Sequence, residues 1–257
     1  MRLADNLMPA PLRTPETPRL LKAVIFDVDG VLLASPHEQA WRDALQGYAD
    51  PARFTTALYQ AEVAGRARQD GALAALVALG VKDAQGRARA YAEEKQLRLL
   101  ALIKDGRVEA FPDALRLVAA LKARSFPMAA ASASKNAWAM LRSIRLNDGS
   151  CFADAFWVAV CGRDLVHGKP DPEIFLTAAA EIGVQADRCL VIEDSSAGIV
   201  AAQRGDMTAL GIARLGDSKA LCEAGADLVL TSLDCLGLTS LLGGRLCGNS
   251  APHRQKP

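Results

Sequence analysis

The stretch 21–33, Leu-Leu-Lys-Ala-Val-Ile-Phe-Asp-Val-Asp-Gly-Val-Leu, constrains the rest of the chain more than any other. Residues 23–26 are apolar without interruption and run straight into Asp27, after which come Val28, Asp29 and Gly30. A short continuous apolar run reads as a buried strand. Gly30 supplies the conformational freedom for the chain to turn at once. Two carboxylates at the carboxyl end of a buried strand occupy the place where an open α/β sheet builds its site. An isolated Asp-x-Asp also reads as an ordinary turn, so the pair needs company. Three later stretches provide it: Met-Ala-Ala-Ala-Ser-Ala-Ser-Lys-Asn at 128–136, His-Gly-Lys-Pro-Asp-Pro-Glu-Ile-Phe at 167–175 and Cys-Leu-Val-Ile-Glu-Asp-Ser-Ser-Ala-Gly-Ile at 189–199.

The order of elements says how these stretches can meet. From 107 onward, expected strands at 127–131, 155–160, 188–193, 208–212 and 228–230 alternate with expected helices at 112–124, 135–144, 172–182, 197–204 and 218–224. That alternation predicts an α/β fold with a Rossmann-like, doubly wound parallel sheet. Between 37 and 106 the pattern is helical throughout, with apolar residues at helical spacing and Pro51, Gly65, Gly71 and Gly80 as punctuation. The segment is too long for a simple crossover and predicts an inserted helical cap. The expected division is a core at 21–35 and 107–242, a cap at 36–106, a flexible leader at 1–20 carrying four prolines, and a flexible tail at 243–257.

Composition narrows the function classes. At 257 residues, 51% hydrophobic and 23% charged, the chain suits one large domain or a domain with an insertion. A formal net charge of +1 and 5% aromatic residues argue against nucleic acid as a partner. No apolar stretch approaches the roughly 18 residues of a membrane span, so the expectation is a cytoplasmic protein with no membrane partner; a monomer is expected separately. The six cysteines show no Cys-x-x-Cys pair and no zinc-like spacing with the three histidines, which predicts free thiols.

Asp27, at a strand end, can act as a carboxylate nucleophile toward phosphorus and carry an aspartyl-phosphate. Asp29, two residues on, can serve the leaving or entering oxygen as general acid and base. A phosphate ester facing two aspartates is repelled unless cations are present. Mg2+ is the expected cation, held by Asp27, the main-chain carbonyl of Asp29, and Asp194, with Glu193 ligating directly or through water. Asp194 or Ser195 can equally cap the helix that begins near Ala197. Lys169 offers a second cation for the transferring phosphate, or is a solvated loop lysine. Ser132 offers a hydroxyl to phosphate oxygens, or caps the following helix.

In order, Asp27-Val-Asp29-Gly-Val, Ser132, Lys169-Pro and Glu193-Asp194 resemble the four motifs of the haloacid dehalogenase superfamily, with the helical insertion after the first. The resemblance covers about 22–242, and four motifs in series are far more specific than any one. Asp29 points away from the dehalogenase branch, which generally lacks it, toward phosphatases and phosphomutases. Ser132-Ala-Ser134-Lys135-Asn136 and Gly65-Arg66-Ala67-Arg68-Gln69-Asp70 are similar to the phosphate loop and cap motif of the β-phosphoglucomutase-like subfamily. That likeness implies a small sugar phosphate as substrate, with Ser132 and Lys169 on the transferring phosphate and Arg68, Ser134 and Asn136 on a distal one. Lys135 lies in the same loop. His37 and Lys95 would position Asp29 and the sugar. A mutase or a sugar-phosphate phosphatase is implied, the mutase first, with a non-catalytic binding module on the same scaffold as the last alternative. Between Gly30 and Trp41 the chain is two residues shorter than the usual pattern, and Ala34-Ser35 replaces its acidic and hydroxyl pair in the expected hinge.

Overall fold

The apolar run at 23–26 forms strand β1 (Ala23–Asp27), with all five residues buried. The computed structural model describes residues 20–146 and 148–249. The further strands are β2 (Leu33–Ala34), β3 (Glu109–Ala110), β4 (Met128–Ser132), β5 (Val158–Cys161), β6 (Cys189–Glu193), β7 (Thr208–Ile212) and β8 (Leu228–Leu230). Six of them make a parallel sheet in the order β5-β4-β1-β6-β7-β8. The chain first builds outward from β1 through β4 to β5, then returns to add β6 on its other side. Asp27 therefore ends the strand at which the order reverses, where such sheets bind ligands. Register aligns the neighbours: Asp27 lies opposite Ala131 and Phe26 opposite Ile192, so Ser132 and Glu193 sit at the same edge.

Both sheet faces are covered because successive strand residues point to opposite sides. Phe26, Ala130, Ile192 and Ile212 pack with α5 (Pro112–Lys122), α6 (Ala137–Ser143) and α10 (Leu238–Leu242). Ile25, Ala129, Val191 and Ala209 pack with α7 (Glu173–Ile182), α8 (Ser196–Arg204) and α9 (Ser218–Glu223). Between the two halves of the core lie α1 (His37–Asp43), the single turn α2 (Thr56–Leu58), α3 (Arg68–Ala78) and α4 (Ala84–Lys104). They enclose their own apolar cluster around Trp41, Leu45, Phe54, Leu76 and Tyr91. The Tyr91 hydroxyl is satisfied there by donating to the Trp41 carbonyl at 2.8 Å.

The chain leaves for the cap through β2 and returns through β3, and the two pair antiparallel, with Ala34 opposite Glu109. Two-residue strands carry no readable alternation, and the sequence does not announce them. The strand expected at 155–160 instead runs Val158–Cys161, preceded by a 3-10 turn at Phe152–Ala155. Phe152, Ala153 and Ala155 are buried in that turn, and an apolar run reports burial rather than element type. Part of the segment expected as a flexible tail is tied down. Leu21 N–H donates to Gly244 O, Gly237 N–H to Cys247 O and Asn249 N–H to Cys235 O, so 243–249 return to the core. Residues 1–19 of the leader expected at 1–20, and residues 250–257 of the expected tail, lie outside the described residues. Among the described residues no helix is long and apolar enough to cross a membrane. All six cysteines are free thiols.

Candidate active site

Asp27 is 6% exposed, and its Oδ1 receives the Lys169 ammonium at 2.5 Å. The same ammonium donates to Glu193 Oε1, and Ser195 donates to the other Glu193 oxygen through its N–H (2.8 Å) and its hydroxyl (2.9 Å). Glu193 was expected beside Asp194 as a metal ligand, but both of its oxygens are already engaged within the protein. Its position holds Lys169 over Asp27. Burial works against the Lys169 charge, but Asp27 and Glu193 outweigh it and hold the pKa above its ordinary value. Burial pushes Asp27 up to about 8; Lys169 pulls it down, while Glu193 and Asp29 add to the rise.

Asp194 lies against the turn after β1. A Cβ on Gly30 would sit 1.8 Å from Asp194 Oδ2, and Gly30 has φ +85, so glycine is required there on both counts. Ser195 caps α8, accepting from Gly198 N–H at 3.1 Å, which leaves the Asp194 carboxylate to the site. Among the described residues no salt bridge reaches Asp194. Burial, then Glu193 and Asp27, raise its pKa well above the usual carboxylate range. Asp27, Asp29 and Asp194 thus crowd negative charge around one lysine already bound to two acids. A hard divalent cation fits this donor set. A separate group, His167, Asp171 and Glu173, also brings possible ligand atoms within 4.8 Å of one another. Its carboxylates already accept from the N–H groups of Val166, His167 and Glu173, which accounts for them as loop ties.

Asp29 is held loosely. Its Oδ2 accepts from Ser132 Oγ at 3.4 Å, and its buried Oδ1 has no hydrogen-bond partner among the described residues. His37 Nε2 lies 3.5 Å from that oxygen and 3.4 Å from Ser134 Oγ. On the other side of the ring, His37 Nδ1 meets the Lys95 ammonium at 2.8 Å. Burial lowers the His37 pKa to about 4, with Asp29 opposing and Lys95 and Arg68 assisting. The imidazole is therefore neutral at pH 7, and a donor at Nδ1 leaves its own proton on Nε2, facing Asp29.

One cavity of about 500 Å³ is lined by Asp27, Asp29, Lys169 and Asp194 from the core and by Arg68, Lys95 and Tyr59 from the cap. Ser132, Ser134, Lys135 and Asn136 line it too. The last two are already occupied. The Asn136 amide exchanges hydrogen bonds with Gln96 of α4 at 3.2 and 3.3 Å, and the Lys135 ammonium pairs with Asp164 at 2.9 Å.

The sequence model of haloacid dehalogenase-like hydrolases matches residues 21–206. The chain belongs to that family. Its sheet and cap are those of a haloacid dehalogenase-like enzyme, a phosphomutase or a phosphatase. It is 31% identical over 227 residues to a β-phosphoglucomutase of Bacillus subtilis, covering 86% of this chain and 94% of the relative. A phosphorylated carbohydrates phosphatase of Thermotoga maritima is 30% identical over 211 residues, covering 80% and 92%. Among solved structures, an archaeal β-phosphoglucomutase from a hyperthermophilic Pyrococcus superposes with a TM-score of 0.69 at 30% identity, covering 87% of this chain and 99% of that one.

Two cavity residues of this family member escape a reading of the sequence. Arg214 follows β7, and its place beyond a strand's carboxyl end was the available signal. Tyr59 opens a π-helical turn, Tyr59–Val63, in which Ala64 N–H reaches back to Tyr59 O at 2.8 Å. Nothing in the local pattern of apolar and polar residues announces such a turn.

Proposed function

We propose that this protein is a Mg2+-dependent phosphoryl-transfer enzyme for a small sugar phosphate, a β-phosphoglucomutase-like mutase that turns β-glucose 1-phosphate into glucose 6-phosphate. The observation that carries this reading is one cavity lined by Asp27, Asp29 and Lys169 from the core and by the cationic side chain of Arg68 from the cap. A substrate with phosphates at both ends needs cations at both ends. The planar fork of Arg68 suits a phosphate that binds without reacting.

In this mechanism an Asp27 carboxylate oxygen attacks phosphorus and the bond from phosphorus to the sugar oxygen breaks. Asp29 gives its proton to that departing oxygen. The hydroxyl of the next sugar monophosphate then returns a proton to Asp29 and takes the phosphoryl group, which frees Asp27 and makes the bisphosphate; this turns end for end, and Asp27 attacks its other phosphate. Lys169, fixed by Glu193, offsets charge on the phosphoryl oxygens, and Ser132 donates to them. His37 and Lys95 orient Asp29. Asp27, Asp194 and the main-chain carbonyl of Asp29 would hold Mg2+. When bound, the ion supplies the positive charge that lets the crowded carboxylates stay ionised beside a phosphate.

A phosphatase is the second reading, and a specific observation favours it. Asn136, expected on the distal phosphate, and its loop neighbour Lys135 are engaged by Gln96 and Asp164. The test is to incubate the protein with Mg2+, β-glucose 1-phosphate and a trace of glucose 1,6-bisphosphate, following products by phosphorus NMR. Glucose 6-phosphate without matching free phosphate is expected; free phosphate as the main product would assign the phosphatase. Asp27→Asn should form neither, and turnover by that variant would refute the nucleophile.

A further inference from the structure

Arg214 stands two residues beyond β7, and its guanidinium is tied to two main-chain carbonyls and a carboxylate. Its Nε donates to Gly30 O at 2.9 Å and its Nη2 to Val31 O at 3.0 Å. Nη1 and Nη2 together grip the Asp113 carboxylate at 3.1 and 3.0 Å, and the guanidinium lies 3.7 Å from the centroid of the Phe111 ring. The two side chains are 15% and 7% exposed. Asp113 also accepts from Ala114 N–H, Leu233 N–H and the Ser232 hydroxyl.

A buried ion pair is weak evidence for stability, because desolvation offsets most of the attraction. Its location is more informative. Gly30 and Val31 directly follow Asp29. Phe111 directly follows β3, and its N–H donates to Leu32 O at 3.0 Å. Gly30 is pressed on its other side by Asp194. The guanidinium therefore joins both chain crossings into the cap to the turn that carries Asp29, while the Asp29 carboxylate itself has only the long contacts to Ser132 Oγ at 3.4 Å and His37 Nε2 at 3.5 Å among the described residues.

We infer that Arg214 is a positioning residue: by tying the carbonyls of Gly30 and Val31 to Asp113, it fixes the backbone from which Asp29 reaches the bridging oxygen of the phosphate ester. Lysine cannot replace it, since one ammonium cannot span two carbonyls and a carboxylate in the geometry of the planar fork. The inference rests on Asp29 being the general acid, and the test separates the two claims. Asp29 protonates the leaving oxygen as the Asp27–phosphorus bond forms, so its contribution depends on how basic that oxygen is. Phenolate needs the proton, whereas 2,4-dinitrophenolate leaves as the anion.

The experiment measures kcat/KM for phenyl phosphate and 2,4-dinitrophenyl phosphate, with Mg2+, in wild type, Arg214→Lys, Arg214→Gln and Asp29→Asn. General acid catalysis is worth on the order of 10² to 10⁴ in rate, so a misplaced acid should cost about tenfold or more on phenyl phosphate. The Arg214 variants should lose that much there and less than about threefold on the dinitrophenyl ester. A purely structural role would reduce both substrates together through the folded fraction. Equal losses, or no loss, in the folded Arg214 variants while Asp29→Asn shows the selective loss would overturn the inference. Equal losses in Asp29→Asn itself would overturn the reading of Asp29 and the inference with it. Should one Arg214 variant not fold, the other decides.

Discussion

Lys95 is 3% exposed, with its ammonium 2.8 Å from His37 Nδ1 and 4.9 Å from the centroid of the Trp41 ring. Burial lowers its pKa to about 7; Asp29 opposes that shift and Arg68 adds to it. Because the folded value lies below the ordinary lysine value of 10.5, the unfolded chain binds more protons between about pH 7 and that value. Stability from this residue therefore rises with pH across that window, and the penalty is complete below it. Lys95→Met cannot titrate, so its melting temperature relative to wild type should be most favourable at pH 6 and fall steadily by pH 10. Thermal melts at pH 6, 8 and 10 check this, and a constant difference would contradict the burial of a titrating lysine. At this scale Asp27, Asp29 and Lys169 were legible because each follows an apolar run or sits in a distinctive loop. The engagement of Glu193 was not, since it depends on where a lysine 24 positions earlier in the chain ends in space.

At the start of α8 two adjacent residues do separate jobs. Ser195 caps the helix through Gly198 N–H, while Asp194 leans on Gly30 without a salt-bridge partner among the described residues. Ser195→Ala should lower the unfolding free energy by about 1 kcal/mol, the usual cost of a lost cap. Asp194→Asn removes a buried carboxyl group whose ionised form is disfavoured by burial and by Glu193 and Asp27, so it should stabilise the protein without metal at pH 7. Urea unfolding of the two variants should give opposite signs, and the same sign in both would assign the cap wrongly. From sequence alone the cap and the ligand could not be told apart, because either side chain reaches a helix N-terminus. The elements themselves were easier to read. Buried parallel strands such as β1 and β6 are uninterrupted apolar runs, whereas Phe152–Ala155 and the pairing of β2 with β3 depend on contacts that no local pattern encodes.

Across the whole molecule the cap is held against the core by few polar ties. Gln96 and Asn136 exchange amide hydrogen bonds at 3.2 and 3.3 Å, and His37 meets Ser134 at 3.4 Å. A closed site keeps water from an aspartyl-phosphate. Gln96→Ala should therefore raise the ratio of free phosphate to sugar-phosphate product in the NMR assay, and an unchanged ratio would deny the amide pair a part in closure. The four motifs made the core side of the site legible over most of the chain, but the cap side depends on helix packing that sequence spacing leaves loose. The pairing of Ala34 with Glu109 has one more consequence. The polypeptide departs from the sheet and comes back at neighbouring points, so topologically the whole cap is a single hairpin loop. The entropy of closing a loop grows only with the logarithm of its length. Whatever is threaded between those two residues, long or short, the sheet's strand order stays the same, and the molecule can exchange the wall that chooses a substrate while keeping the wall that does the chemistry.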